Sequence, residues 1–501
     1  MNQLPVEIWE LAQAEAVDEL LSVLKSEFTV ETEPPTKSNV VLLDDFDAHI
    51  WNSDYLLCLD VNLHLQLIDQ GGTKEETNFP QNAKFWWQLP DGSVQKTIKG
   101  LIGLRALMPI ANIFVAEQQI ALRNGDQKLV VRAQLKTITI DGQARIYFLL
   151  KPLRGYSKHS TQARNIVRSF ASKKMTSHHL KHLVADRINP TSIEEKIPLP
   201  KIKDKMPTEQ AVRSMSVAML HQASSQVPGV IADVDTEFLH HFRVYFRKVR
   251  SLVGLLHKSI PVETVAILKP VLSEIAGKTN KLRDLDVFLL EKDKYLAMLP
   301  ANFSAGLNEL YEIVEQQREI ERVNIENYFL SADYGQKMAM CISELSAPSA
   351  LKTEIASKPL LPVVDKLVLK RYQKILDMVG LIDDSTVDEE IHELRKEFKK
   401  LRYLIEFFSD LFPQEGIRKT IGTVKKVQNV LGNFNDYSIQ IEFLNTYLDN
   451  HRIEMSKAVC GLIAVLHQKK ITERSKVNAA TENIRSPEMI NEIKHLFGRT
   501  S

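Results

Sequence analysis

Residues 390 to 408 read "EIHELRKEFKKLRYLIEFF", with six basic side chains from His392 to Arg402 and with Leu, Phe and Ile recurring at helical spacing. An upstream stretch, "EFLHHFRVYFRKVRSLVGLL" at 237 to 256, superimposes on it after a shift of 152 positions. Glu237 then falls on Glu389, His240 on His392, Arg243 on Arg395, Arg247 on Lys399, Lys248 on Lys400 and Arg250 on Arg402. The register survives a long connection, because Asp284 in "LRDLDVFL" and Asp436 in "NFNDYSIQ" each follow their histidine by 44 residues. Spacing kept over that distance predicts two copies of one structural unit.

At about 100° per residue, His240, Arg243, Arg247 and Arg250 fall within an arc of roughly 80°, and Lys248 lies just outside it. Phe242, Phe246, Val249, Val253 and Leu256 share another arc centred roughly 120° away. In the second copy His392, Arg395, Lys399 and Arg402 lie beside Leu394, Phe398, Leu401, Ile405 and Phe408 in the same way. No acidic residue occurs between His240 and Arg250, so this helix lacks the i,i+4 pairs that support a solvated charged face. An anionic partner is expected. Two related halves meeting about a pseudo-twofold axis would bring both stripes to one groove, where low-dielectric walls focus their field.

Arg forks phosphate oxygens bidentately and Lys adds a mobile point charge, so the stripe suits bare phosphates. The two histidines would add charge below neutral pH. Duplex DNA recognition would call for a helix that fits the major groove and offers side chains for base edges, and single strands usually call for aromatic stacking platforms. Tyr245 and Tyr403, the aromatics closest to the stripes, form no RNA-binding signature. Asp284 and Asp436 fit orienting an Arg or His better than binding phosphate.

The net charge of +1 over 501 residues gives the whole molecule no strong field for polyanions, so a basic site must be local. The three cysteines, Cys58, Cys341 and Cys460, are too few and too scattered for a disulfide framework or a zinc cluster, and no cofactor or metal is expected. The N-terminus lacks the basic and apolar regions of a signal peptide, and no run approaches the roughly 18 apolar residues of a membrane span. A cytoplasmic protein without membrane contact is expected.

Residues 5 to 155 read as α+β with a largely antiparallel sheet. "NVVLLDD", "DYLLCLDV", "LHLQLID", "AKFWWQL", "KLVVRAQLKTITI" and "RIYFLLKPL" are taken as strands, with hairpin turns at "NGDQ" and "IDGQ". Beyond 155 strands are expected to stop. "STQARNIVRSFASKK" reads as a helix, and the stretch with Pro190, Pro198, Pro200 and Pro207 reads as an extended linker. The rest has helical periodicity. The expected divisions are 1–175 as the α+β domain, 176–206 as linker, 207–485 as an all-α domain in halves of about 207–345 and 360–485, and 486–501 as a tail.

The motifs "HHFRVYFRKVR", "LRDLDVFL", "HELRKEFKKLRY" and "QNVLGNFND", in that order, resemble those of the CHAD family, the conserved-histidine α-helical domain. The resemblance covers about residues 207 to 470 and departs from the pattern conservatively, as with Lys248 for Arg. It implies two pseudosymmetric four-helix bundles around a basic channel that binds inorganic polyphosphate without known catalysis. Free polymer or polyphosphate granules would be the partner. The implied contacts are His240, Arg243, Arg247, Lys248, Arg250, Arg283, His392, Arg395, Lys399, Lys400 and Arg402. Lys425 and Lys426 are added because they precede the fourth motif.

Residues 5 to 175 resemble a degenerate CYTH domain, a β-tunnel triphosphate enzyme. "VEIWELAQAEAVDELLSVL" is similar to its first strand and helix, "QKTIKGL" to its T-x-K-G strand, and "RIYFLLKPLRGYSKHSTQARNIV" to its last strand, turn and helix. The E-x-E-x-K opening is missing, since Glu7 and Glu10 stand at another spacing, and Tyr147, Phe148, Leu149 and Leu150 replace the late E-x-E. Without inward carboxylates a tunnel cannot hold the divalent ion that phosphoryl transfer needs. A non-catalytic module is expected. The alternatives are a phosphohydrolase using displaced carboxylates and a nucleic-acid-associated protein.

Three lesser signals are set aside. "GKT" at 277 to 279 lacks the earlier glycine of a P-loop, Leu272 standing there. His178, His182 and Asp186 are one helical turn apart but read as a solvated linker helix. Trp86 and Trp87 read as core and sheet surface.

Overall fold

The coordinates are a computed structural model describing residues 5–498 except 13–14, 70–73, 176–179, 187, 189–198, 348–352, 384 and 449–452. The chain divides into two units, Met1–Lys196 and Ile197–Ser501.

The first unit is built on an antiparallel sheet. Its strands are β1 Glu7–Leu11, β2 Thr29–Thr32, β3 Thr36–Asp44, β4 Leu56–Asp60, β5 His64–Ile68, β6 Lys74–Asn78, β7 Met108–Arg123, β8 Leu129–Ile140, β9 Gln143–Pro152 and β10 Ala171–Met175. They run in the order β10-β1-β9-β8-β7-β3-β4-β5-β6, with β2 pairing the far end of β7. Asp141 and Gly142, both at positive φ, make the two-residue turn joining β8 to β9. The helices of this unit are α1 Glu15–Glu27, α2 His49–Asn52, α3 Ser93–Ile102, α4 Ser157–Phe170 and α5 Leu180–Val184.

Because side chains alternate along a strand, the sheet has two distinct apolar faces. Trp9, Leu122, Val131, Phe148 and Leu150 pack under α1 and α4 through Leu20, Leu24, Ala163 and Val167. The opposite face, with Ile8, Ile113, Ile138, Tyr147 and Leu149, packs against Leu183 and Val184 of α5.

Four expectations are corrected here. "QKTIKGL" is not a strand but lies in α3, because Val94, Ile98 and Ile102 recur every fourth residue and are buried. "AKFWWQL" is not a strand either: Trp86–Gln88 form a 3₁₀ turn. Strands do not stop at 155, since "ASKKM" leaves α4 to pair with β1 as β10. Part of the expected linker is integral to this unit, since Leu183, Val184 and Ile188 are buried. His178, Pro190 and Pro198 lie outside the described residues.

The second unit is helical. Its first half contains α6 Thr208–Ser224, α7 Val227–Ile231, α8 Thr236–Leu255, α9 Val262–Lys278, α10 Asn280–Leu290, α11 Lys292–Leu296, α12 Ser304–Leu330 and α13 Ala332–Ser346. Its second half contains α14 Leu360–Gly380, α15 Asp388–Phe407, α16 Gln414–Asn445, α17 Ile453–Ser475, α18 Val477–Arg485 and α19 Pro487–Phe497. The first residues of α6 and α14, of α8 and α15, and of α9 and α16 are each 152 positions apart. Proline precedes four of these starts, Pro207 and Pro359, Pro261 and Pro413.

Backbone bonds between the halves come in reciprocal pairs. Thr208 N donates to Lys358 O at 3.0 Å and Leu360 N to Met206 O at 2.9 Å; Glu209 N donates to Ala356 O and Leu361 N to Asp204 O, both at 3.1 Å. Each bond maps onto its mate under the 152-residue shift. α6 touches α14, α8 touches α15 and α12 touches α17. Elements that meet their own counterparts define a pseudo-twofold relation.

α6, α8, α9 and α13 form one four-helix bundle, and α14, α15, the first part of α16 and the α18–α19 pair form its counterpart. A third bundle, not foreseen from sequence, is shared: Leu285, Phe288 and Leu310 of the first half pack with Ile441, Leu444 and Leu462 of the second. Gly306 lets α12 approach α17 there, since a Cβ would lie 2.3 Å from the Glu454 carbonyl oxygen. The expected tail is also corrected. Ser486 caps α19 by accepting from Met489 N, Pro487 opens the helix, and Met489, Ile493, Leu496 and Phe497 are buried.

Candidate functional site

The signature helices enter the core by the stripes their spacing defines. Phe238, Phe242, Phe246 and Val249 of α8 and Leu394, Phe398, Leu401 and Ile405 of α15 are all buried. Asp235 fixes the start of α8, accepting from Glu237 N at 2.9 Å and Phe238 N at 3.2 Å. α8 then packs on α15, and the stripes beside the two apolar faces meet.

That meeting is visible in the electrostatics. Lys399 is pushed down to about 8, by burial first and then by the positive charges of Arg395, Arg247 and Arg402, with Asp436 opposing. Burial also lowers Arg395, where Asp436 opposes and Arg247 of the other half adds to the effect. Arg247 and Lys399 are 152 positions apart, so counterpart cations sit close together where the halves join. Arg247 and Arg250 are exposed, while Arg243 and Arg283 are half-buried.

In the first half, Arg243 Nη1 donates to Ala276 O at 3.2 Å and to Thr279 Oγ1 and Asn280 Oδ1, both at 2.8 Å. Asp284 attracts it, and Arg247, Arg283 and Arg250 repel it. Arg283 Nη1 donates to Thr236 O at 3.3 Å. His240 is pushed down to about 3 by burial, then by Arg283, His241 and the stripe arginines. It is therefore neutral at ordinary pH, not the added charge that its ring type suggests. In the second half, Arg395 Nη2 lies 3.7 Å from Asp436 Oδ1, and His392 Nδ1 lies 3.1 Å from Asn435 Oδ1. With that oxygen accepting, Nδ1 carries the proton. Asp284 and Asp436 thus each act on the arginine of their own half.

Two expected contacts point elsewhere. Lys400 donates to Glu397 at 2.8 Å, alongside Lys374 at 3.1 Å and Arg371. Burial opposes ionisation of Glu397, but these three donors hold its carboxyl down to about 2. Lys400 therefore belongs to an ion cluster toward α14, because it is turned roughly 100° from Lys399 on the helix. Lys248, its counterpart, lines a cleft of about 210 Å³ with Tyr245, Glu406, Asp410, Met215 and Met219. Lys425 and Lys426 are exposed on α16; Lys425, eleven residues before Asp436, shares its face by helical spacing.

The sequence reading missed Arg318, which grips Asp233 at 2.6 and 2.8 Å and Asp286 at 2.8 Å. It also missed Lys470, bonded to Asp388 at 2.6 Å and lying over the Phe434 ring beside His392. The two are 152 positions apart, so extending the same shift would have found them. Both are tethers of acidic residues, not additions to the stripe.

In the first unit the acidic residues considered for metal are committed. Glu7 takes a bidentate contact from Arg164, with bonds of 2.5 to 2.9 Å. Glu10 lies 3.6 Å from Arg145, which also contacts Asp186 at 2.5 Å. Tyr147 OH donates to Leu183 O at 2.9 Å, fastening α5 over the apolar face. Among the described residues no group of three or more His, Cys, Asp or Glu side chains could hold a metal, and no helix is long and apolar enough to cross a membrane.

Comparisons place these features among known proteins. A CHAD domain structure from the plant Ricinus communis is similar at TM-score 0.49 and 20% identity, covering 58% of this chain and 96% of that one. PptA from Streptomyces chartreusis gives 0.44 and 14%, covering 55% and 99%. A candidate adenylate cyclase from Bacillus halodurans gives 0.24 and 14%, covering 35% and 94%. No curated protein matches the chain. The family model of the CHAD domain matches residues 217–445, and this part of the chain, which carries α8 and α15, is a CHAD domain.

Proposed function

We propose that the helical unit binds inorganic polyphosphate, or a polyanion of the same repeating-phosphate chemistry, without transforming it. The observation that carries this reading is the convergence of Arg247 from one half with Arg395 and Lys399 from the other. Like charges brought together, with Arg395 and Lys399 half-buried, are unfavourable alone, and a polyanion relieves both the repulsion and the desolvation. The composition of the stripe supports phosphate: guanidinium forks take phosphate oxygens in pairs and Lys399 adds a point charge.

A phosphohydrolase reading centred on the first unit finds less support. Glu7 and Glu10 are each matched by an arginine, and the face that includes Ile8, Tyr147 and Leu149 is apolar and covered by α5. Polyphosphate, free or in granules, is the partner this reading assigns. The test is calorimetric titration of the full chain with long-chain polyphosphate, tripolyphosphate and a single-stranded oligonucleotide at matched phosphate concentration. Tight, salt-sensitive binding of polyphosphate with much weaker oligonucleotide binding is expected; preference for the oligonucleotide would overturn the reading.

A further inference from the structure

Resting on the phosphate-binding reading above, we propose that the two half-sites are unequal: the α15 stripe, with Arg247, holds phosphate, while Arg243 and Arg283 hold the helices that frame the site. The difference begins at Thr279 and Asn280, where the chain breaks between α9 and α10. The break places the Ala276 carbonyl in the last turn of α9, where it accepts from Thr279 N at 3.3 Å and Thr279 Oγ1 at 2.8 Å in place of a regular helix donor and stays open to a side chain. Arg243 takes this carbonyl together with the Thr279 and Asn280 side chains. A cation at a helix C-terminus is favourable there.

The positions 152 residues later are Gln428, Leu431 and Gly432, inside the uninterrupted α16. The Gln428 carbonyl is committed to the helix ladder, and Leu431 and Gly432 offer no side-chain acceptor. Arg395, the counterpart of Arg243, therefore has little to bind. Its buried Nε lacks a hydrogen-bond partner among the described residues, and the nearest carboxylate, Asp436, is exposed and 3.7 Å away. Arg402 repeats the pattern: its buried Nε has no hydrogen bond, although Glu406 lies 3.3 Å off. Arg283, which bonds the Thr236 carbonyl, is replaced in the second half by Asn435, which engages His392. Buried donors without acceptors call for an explanation. Two such guanidinium groups flanking Lys399, with Arg247 facing them, form a donor set that a phosphate would complete.

The test uses the full chain and tripolyphosphate, with affinity from calorimetry at low salt and folding from circular dichroism. Arg395→Gln should weaken binding by about tenfold or more, as expected for the loss of a charge-assisted contact. Gly432→Asn keeps every cation and adds an amide acceptor at the counterpart of Asn280; beyond the adjoining residues and the helix's own backbone, no atom lies within 4 Å of the new Cβ. It should compete for Arg395 and weaken binding by about threefold. Asn280→Gly should lower Tm without weakening binding. The inference is overturned if Gly432→Asn binds as the wild type does, or if Asn280→Gly weakens binding as much. A wild-type chain that does not bind tripolyphosphate would instead remove the phosphate-binding reading itself.

Discussion

The face of the sheet that carries Ile8 and Tyr147 and the stripe at the α8–α15 contact treat charge in opposite ways. On the sheet, Glu10 meets Arg145 and Arg145 meets Asp186, while apolar residues and α5 fill the rest. At the helical contact, Arg247, Arg395, Lys399 and Arg402 gather, opposed by Asp436 at Lys399 and by Glu406 beside Arg402. A fold that needed only stability would match those charges as the sheet does. The charge left over at the helical contact is what the proposed polyanion would neutralise.

The largest expected effect comes from erasing that difference. Reversing Arg395, Lys399 and Arg402 to Glu together should weaken long-chain polyphosphate binding by well over tenfold, on the order of 1.4 kcal/mol or more. The salt dependence of binding should flatten as well, because fewer counterions are released. These side chains lie beside the packing face, so circular dichroism should report an intact helical fold. Unchanged affinity and salt slope in a folded variant would reduce the stripe to a solvated surface.

Stability offers an effect of comparable kind at the shared bundle. Gly306→Ala forces a methyl group against the Glu454 carbonyl and should cost about 1–3 kcal/mol by overpacking, read from urea denaturation. An unaffected midpoint would mean that α12 and α17 separate freely.

A smaller effect should follow pH. Free Lys399 loses its proton near 8, and bound phosphate favours the protonated form, so its pKa rises in the complex. Binding is then strongest below about 8 and must take up a proton above it. Affinity should fall by up to about tenfold between pH 7 and pH 9, and Lys399→Arg should flatten the profile. A steep fall that persists in Lys399→Arg would assign the titration elsewhere. No effect at all is expected from the sheet: incubating the chain with triphosphate and Mg²⁺ or Mn²⁺ should release phosphate at the rate of a blank. Release above it would break the comparison on the sheet side.

Much of the helical unit was legible because its signals are local. The spacing of Phe242, Phe246 and Val249, and the shift relating His240 to His392, depend on nothing beyond one helix and its copy. The errors arise where a distant partner decides. "QKTIKGL" holds strand-forming residues, but Val94, Ile98 and Ile102 are buried in a core with Leu57, Leu65 and Leu67 that only the folded chain supplies. Lys400 looks like a stripe residue until Glu397, Lys374 and Arg371 are seen around it. The tail was different: Ser486, Pro487 and Glu488 are a readable helix start and were passed over. Arg243 and Arg395 align in sequence, yet their environments diverge because Thr279 and Asn280 give way to Leu431 and Gly432.

The central claim, that cations from both halves act as one site, is tested most directly by a double-mutant cycle. Arg247→Gln, Lys399→Gln and the double variant are titrated with tripolyphosphate, a ligand too short to bridge separate stripes. If the two cations share one site, their losses should be non-additive, with an interaction energy of about 0.5 kcal/mol or more. Losses that add within about 0.3 kcal/mol would mean that Arg247 and Lys399 act independently, and the shared site would be wrong.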